Sequence, residues 1–127
     1  MFKAFKYYLP LFGWSLLILF LSTGPGVDLP EKLVDLLAPD KWAHAFVYAV
    51  MTVLMLWAFQ KTDLLTKSRY LWWTIAIIFC SSYGILMEWI QQTFFPNRYF
   101  EVLDILANII GSFTGAYLYK RFFIIKT

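Results

Sequence analysis

Four stretches of this chain stay apolar long enough to approach a bilayer crossing, which takes about 20 residues of helix. They cover roughly residues 8–21, 40–59, 71–95 and 102–119. Polar and turn-forming residues fall between them. The pattern predicts an all-α fold, with residues 1–127 forming one domain built on a bundle of four transmembrane helices. The first stretch is the shortest. Lys3 and Lys6 can snorkel from its start, and Ser22 and Thr23 can sit at the interface at its end. A basic start followed by an apolar core also resembles a signal peptide. However, Leu21-Ser22-Thr23-Gly24-Pro25 matches a small-residue cleavage site poorly, so a retained helix is expected.

The connections carry the topology. Eight of the eleven Lys and Arg residues fall on one side: Lys3, Lys6, Lys61, Lys67, Arg69, Lys120, Arg121 and Lys126. The other side holds Lys32, Lys41 and Arg98. Basic loops stay in the cytoplasm, so both termini are predicted inside. The loops Ser22–Pro39 and Pro96–Glu101 then face out. In the first of these, Gly24-Pro25-Gly26 marks a turn. Between Pro30 and Pro39, Leu33, Leu36 and Leu37 alternate with Glu31, Lys32 and Asp35, as in a short amphipathic helix lying at the interface. Tyr70, Trp72, Trp73, Trp89, Tyr99 and Phe100 flank the stretches as interface anchors do.

Composition agrees with this class. The chain is 61% hydrophobic and 15% charged, with a mean hydropathy of +0.63. Soluble domains run at about 45–50% apolar and about 25% charged. The net charge of +3 is not gathered into a basic block, which argues against a nucleic-acid partner. Cys80 is the single cysteine, so no internal disulfide can form.

Against this background the polar residues in the helices stand out. Asp40, His44 and Tyr48 recur every four residues on the second helix and share a face. Glu88 lies near the outer end of the third, one turn above Gly84, with Gln91 and Gln92 within reach of its face. The fourth helix re-enters with Asp104, Asn108, Gly111 and Gly115 along one row. Ionisable groups at membrane depth usually face a bundle interior or a wet cavity. The topology brings all of these to a similar depth under the outer surface, with Arg98 in the short loop as a counter-charge for Glu88 or Asp104. Gly111 and Gly115 permit close helix approach.

Each residue has a chemical and a structural reading. His44 is either an acid–base group or a buried imidazole bonded to Asp40 or Glu88. Glu88 is either its partner or half of an interhelical ion pair with Arg98 or Lys41. Arg98 suits capture of a phosphate or carboxylate, or serves as an ordinary interface charge. Asp104 either orients His44 or stabilises the start of its helix. Asn108 reads as a network member that fixes packing, and Gly84, Gly111 and Gly115 as packing residues. Asp40, His44, Glu88 and Asp104 leave a divalent ion as an alternative. With one histidine and no closely spaced ligand motif, no cofactor is predicted. Ser81 and Ser82 lie too deep to serve as a nucleophile beside this cluster.

The ordered set Asp40-Lys41-x-x-His44, Gly84-x-x-x-Glu88-x-x-Gln91, Arg98 and Asp104-x-x-x-Asn108-x-x-Gly111-x-x-x-Gly115 resembles the VanZ-like family of bacterial membrane proteins. The resemblance runs from about Leu11 to Tyr119, and includes Leu21-Ser22-Thr23-Gly24-Pro25 after the first helix. It departs from the family pattern at Tyr99-Phe100-Glu101, where small polar residues are usual. The family is named for a protein linked to resistance to the glycopeptide teicoplanin, and it has been grouped with membrane proteins thought to act on lipid head groups. The resemblance therefore implies a bacterial cytoplasmic membrane protein that engages a lipid or a lipid-linked cell-wall precursor. His44, Glu88, Asp104 and Asp40 would be the catalytic candidates. Arg98, Lys41, Gln91 and Asn108 would bind the ligand. A binding protein without catalysis and a structural scaffold pinned by its polar cluster are the competing readings. A transporter fits less well, since no internal repeat is present.

Overall fold

The computed structural model describes residues 2–23, 39–94 and 102–124. The interfacial helix expected between Pro30 and Pro39 lies outside them, as does Arg98. All regular structure among the described residues is helical. Helix α1 (Phe2–Phe5) passes through a 3-10 turn at Lys6–Tyr8 into α2 (Leu9–Thr23). Pro10 lacks the N–H that would return to the Lys6 carbonyl, and the Leu9 N–H closes on that carbonyl instead. Then come α3 (Pro39–Lys61), a short α4 (Leu64–Lys67), α5 (Arg69–Phe94) and α6 (Val102–Phe122).

Four runs are long and apolar enough to cross a membrane: Lys3–Thr23, Lys41–Lys61, Arg69–Phe94 and Val102–Phe122. They extend beyond the purely apolar stretches because Lys, Arg and Tyr residues continue each helix toward the interface. The outer faces are apolar and uncovered, with Phe12, Leu16, Phe20, Ile78, Phe79, Ile110 and Phe113 exposed. Polar Thr52, Glu88, Asn108 and Ser112 are buried. Apolar outside with polar inside is the arrangement expected where lipid is the solvent. This is a multi-pass membrane protein.

The pairing of helices follows from small residues. α3 and α6 make the most extensive contact and run parallel: Ala45 meets Gly111, and Ala49 meets Gly115 one turn further along. A Cβ at either glycine would collide with the facing alanine's carbonyl oxygen. The two backbones are thus as close as the absence of side chains permits. α5 runs antiparallel to this pair, with Gly84 beside Asn108 near one end and Trp73 edge-on to Tyr119 near the other. Among the described residues, three hydrogen bonds tie α2 to the rest. Trp14 Nε1 donates to the Val47 carbonyl at 2.9 Å, Tyr83 Oη to the Ser15 carbonyl at 2.6 Å, and Gln91 Nε2 to the Ser22 carbonyl at 3.1 Å.

α2 and α5 therefore point one way, and α3 and α6 the other. The beginning of α2 and the end of α6 lie at the same end of the bundle. That end is marked by a hydrogen bond between Tyr119 Oη and Gln60 Oε1, and by Tyr8 Oη at 3.2 Å from Thr62 Oγ1. The chain turns there from α3 through Asp63, whose φ of 62° is left-handed. Aspartate is one of the few non-glycine residues that adopt this conformation readily.

Candidate functional site

The opposite end of the bundle gathers the chemistry. α3 contributes Lys41, His44 and Tyr48 on successive turns of one face. α6 contributes Asp104 in its first turn, where a carboxylate also complements the helix dipole, and Asn108 in its second. α5 contributes Glu88, with Gly84 one turn deeper. Gly84 is what admits Asn108: a Cβ at that position would lie 2.7 Å from Asn108 Nδ2. Glu88 and Asn108 are each 1% exposed, and Asp104 is 8% exposed.

His44 is the hinge of the cluster. Its Nδ1 lies 2.9 Å from Asn108 Oδ1. Since a carbonyl oxygen only accepts, Nδ1 carries the hydrogen. The other ring nitrogen, Nε2, faces Asp104 Oδ2 at 3.7 Å. Asp104 uses its second oxygen, Oδ1, to accept an ion pair from Lys41 Nζ. His44, Glu88 and Asp104 each present one donor atom within 4.8 Å of the others. Three helices thus bring an imidazole and two carboxylates to one point.

A cleft of about 170 Å³ opens beside this point, on the side away from α6. Ile18, Leu21 and Ser22 of α2, Ala43, His44, Val47 and Tyr48 of α3, and Gln91 of α5 line it. Its walls are mostly apolar, and its polar atoms come from His44, Tyr48, Ser22 and Gln91. His44 is the residue through which the cleft meets the cluster.

Several residues singled out in the sequence meet here: Lys41, His44, Gly84, Glu88, Gln91, Asp104 and Asn108. Asp104 takes its ion pair from Lys41. The imidazole is held by Asn108, which the sequence analysis reads as a network residue that fixes packing and as a ligand-binding candidate. Gln91 is the buried glutamine of its pair, at 7% exposure, and Gln92 is exposed. Gly111 and Gly115 lie deeper, at the α3–α6 contact. Asp40 belongs to the first turn of α3, but its side chain, like Arg98, is outside the described residues. Ser22 enters the sequence reading as an interface residue and in the run after the first helix, and its place in the site is hidden there because its share includes a backbone carbonyl. Tyr48 does carry a signal, being one turn beyond His44 on the same row.

Comparison with known proteins adds lineage. Over 92 residues the chain is 31% identical to an uncharacterized protein of Schizosaccharomyces pombe, a match covering 72% of this chain and 49% of that protein. The chain thus spans about half the length of the curated relative it matches. No solved structure matches it. The family profile described as VanZ/LLP1 matches residues 7–125, which take in every residue of the polar cluster and all of the four spans but the first turn of the first, and the chain belongs to that family.

Proposed function

We propose that the protein engages a membrane amphiphile by its head group at the His44 end of the bundle, with His44 supplying acid–base chemistry. One observation carries this reading. His44 forms part of the cleft wall, and its Nδ1–H is fixed on Asn108 while Nε2 faces Asp104. In that state Nε2 holds the lone pair. It can take a proton from water or a hydroxyl, and the resulting imidazolium would face a carboxylate. Asn108 sets the tautomer and Asp104 answers the charge.

The apolar cleft walls suit the tail or backbone of a lipid, and the polar cluster above suits its head group. Lys41, together with Arg98, adds positive charge for a phosphate. The bias of basic residues supports a position for this end at the outer face of the membrane. Phospholipids, lipid-linked cell-wall precursors and lipidated glycopeptides share the required chemistry. Resistance to teicoplanin would follow only for a member whose ligand is the precursor or the drug.

Reconstitution tests the proposal. Wild-type protein in vesicles of phosphatidylethanolamine and phosphatidylglycerol should alter head groups, as read by mass spectrometry of the lipids. His44→Ala and Asp104→Asn should not, at equal folded abundance. Lipid bound by all three proteins and altered by none would leave a binding protein. Absence of both binding and turnover would leave the cluster as a pin for the bundle.

A further inference from the structure

We propose that His44, Glu88 and Asp104 form a binding site for a divalent transition-metal ion of the Mn²⁺ or Zn²⁺ class. The donors come from three different helices, yet one atom from each lies within 4.8 Å of the others. An ion with bonds of about 2.0–2.2 Å holds neighbouring ligand atoms roughly 3–3.6 Å apart. The 3.7 Å between His44 Nε2 and Asp104 Oδ2 is close to that spacing. It is also too long for a good hydrogen bond between the two groups. Glu88, 1% exposed, supplies the third donor atom within the same 4.8 Å.

The surroundings favour an ion over a chance cluster. Metal-binding imidazoles commonly donate their second ring N–H to an oxygen, which fixes the ring and leaves the other nitrogen as ligand. The 2.9 Å bond from His44 Nδ1 to Asn108 Oδ1 does this. Asn108 itself is 1% exposed and reaches into the cluster, and its Nδ2 has no hydrogen-bond partner among the described residues. A buried donor of this kind matches a water or anion held on a nearby ion. Lys41 engages Asp104 Oδ1, and the oxygen facing His44 is Oδ2. The cleft reaches the cluster at His44. A mixed imidazole and carboxylate set suits Mn²⁺ or Zn²⁺ better than an all-oxygen cation such as Ca²⁺. Occupancy changes the part His44 plays. Nε2 becomes a ligand, and the proton-accepting group is the ion's own water.

His44 is the single histidine of the chain, which makes the test direct. Wild-type protein without a histidine tag, purified in detergent and stripped with chelator, is titrated with Mn²⁺ and followed by electron paramagnetic resonance. The expected result is one saturable Mn²⁺ per chain, displaced by Zn²⁺, with pulsed spectra showing coupling to an imidazole nitrogen. Glu88→Gln and Asp104→Asn should each weaken binding about tenfold or more. Lys41→Gln should tighten it, because a competing positive charge is removed. Lack of saturable binding by folded wild type would overturn the proposal, and so would bound Mn²⁺ without nitrogen coupling. Undiminished affinity in both carboxylate variants would do the same. The readout is the ion and its ligand atoms rather than the lipid, so its failure would leave the head-group reading intact.

Discussion

Asn108 on α6 accepts a hydrogen bond from the His44 imidazole on α3 at 2.9 Å, and this contact fixes which nitrogen of His44 faces Asp104. It joins the two most closely packed helices at the depth where the cluster forms. With one histidine in the chain, nitrogen-15 NMR of histidine-labelled protein reads the tautomer without mutation. The neutral ring should carry its hydrogen on Nδ1. A hydrogen on Nε2 would contradict the assignment. Asn108→Ala should free the ring and lower thermal stability by the equivalent of about 1 kcal/mol, the scale of an interhelical hydrogen bond in a membrane.

The α3–α6 contact depends on two missing side chains. Gly111→Val and Gly115→Val would each drive carbons into the carbonyl of Ala45 or Ala49. Overpacking of this kind costs about 1–3 kcal/mol. Each variant should melt well below wild type in detergent. Gly13→Ala is the control. Nothing lies within 4 Å of a Cβ there, and alanine is the better helix former, so stability should hold or rise. Equal melting of all three variants would argue against the close approach.

Lys41 and Asp104 test whether charge pairing shapes this end of the bundle. Their side chains are 23% and 11% exposed, so the pair is partly desolvated. Lys41→Met leaves a carboxylate in a poorer environment and should destabilise more than Lys41→Met combined with Asp104→Asn. A double-mutant cycle by thermal unfolding should give a coupling of about 1 kcal/mol. A coupling near zero would show the pair to be incidental.

The far end offers a separation of roles. Tyr119 is 1% exposed and donates its hydroxyl to Gln60. Tyr119→Phe should cost about 1 kcal/mol of stability. Lipid binding at the His44 end should be unchanged. Loss of lipid binding in a folded Tyr119→Phe protein would mean that the site is not confined to one end.

Much of this was legible in the chain because helical periodicity does two jobs at once. The row Asp40, His44, Tyr48 continues to Thr52, and the row Asp104, Asn108, Gly111, Gly115 continues to Tyr119. Tyr48 and Thr52 on the one row, and Asp104, Asn108 and Tyr119 on the other, are buried, so stripe and polar groups coincide. What spacing does not reveal is which partner each group takes. Lys41 and Arg98 are both plausible cations for Asp104 by charge alone, and only the relative rotation of α3 and α6 brings Lys41 to it. That rotation is set by Ala45 and Ala49 fitting against the glycines. The cleft was hidden for a similar reason. It arises where α2 stands off from α3 and α5 between its three hydrogen bonds, and gaps between helices leave no periodic mark.

The central claim is that this cleft and its polar end hold a lipid. Ala43 forms part of the cleft wall and makes none of the cluster's hydrogen bonds, so Ala43→Leu should fill space without disturbing His44. Native mass spectrometry of protein released from gentle detergent tests this most directly. Wild type is predicted to carry a lipid of defined mass, largely lost from Ala43→Leu at the same folded yield. A wild-type protein with no specific lipid, or the same adduct on both proteins, would contradict the account.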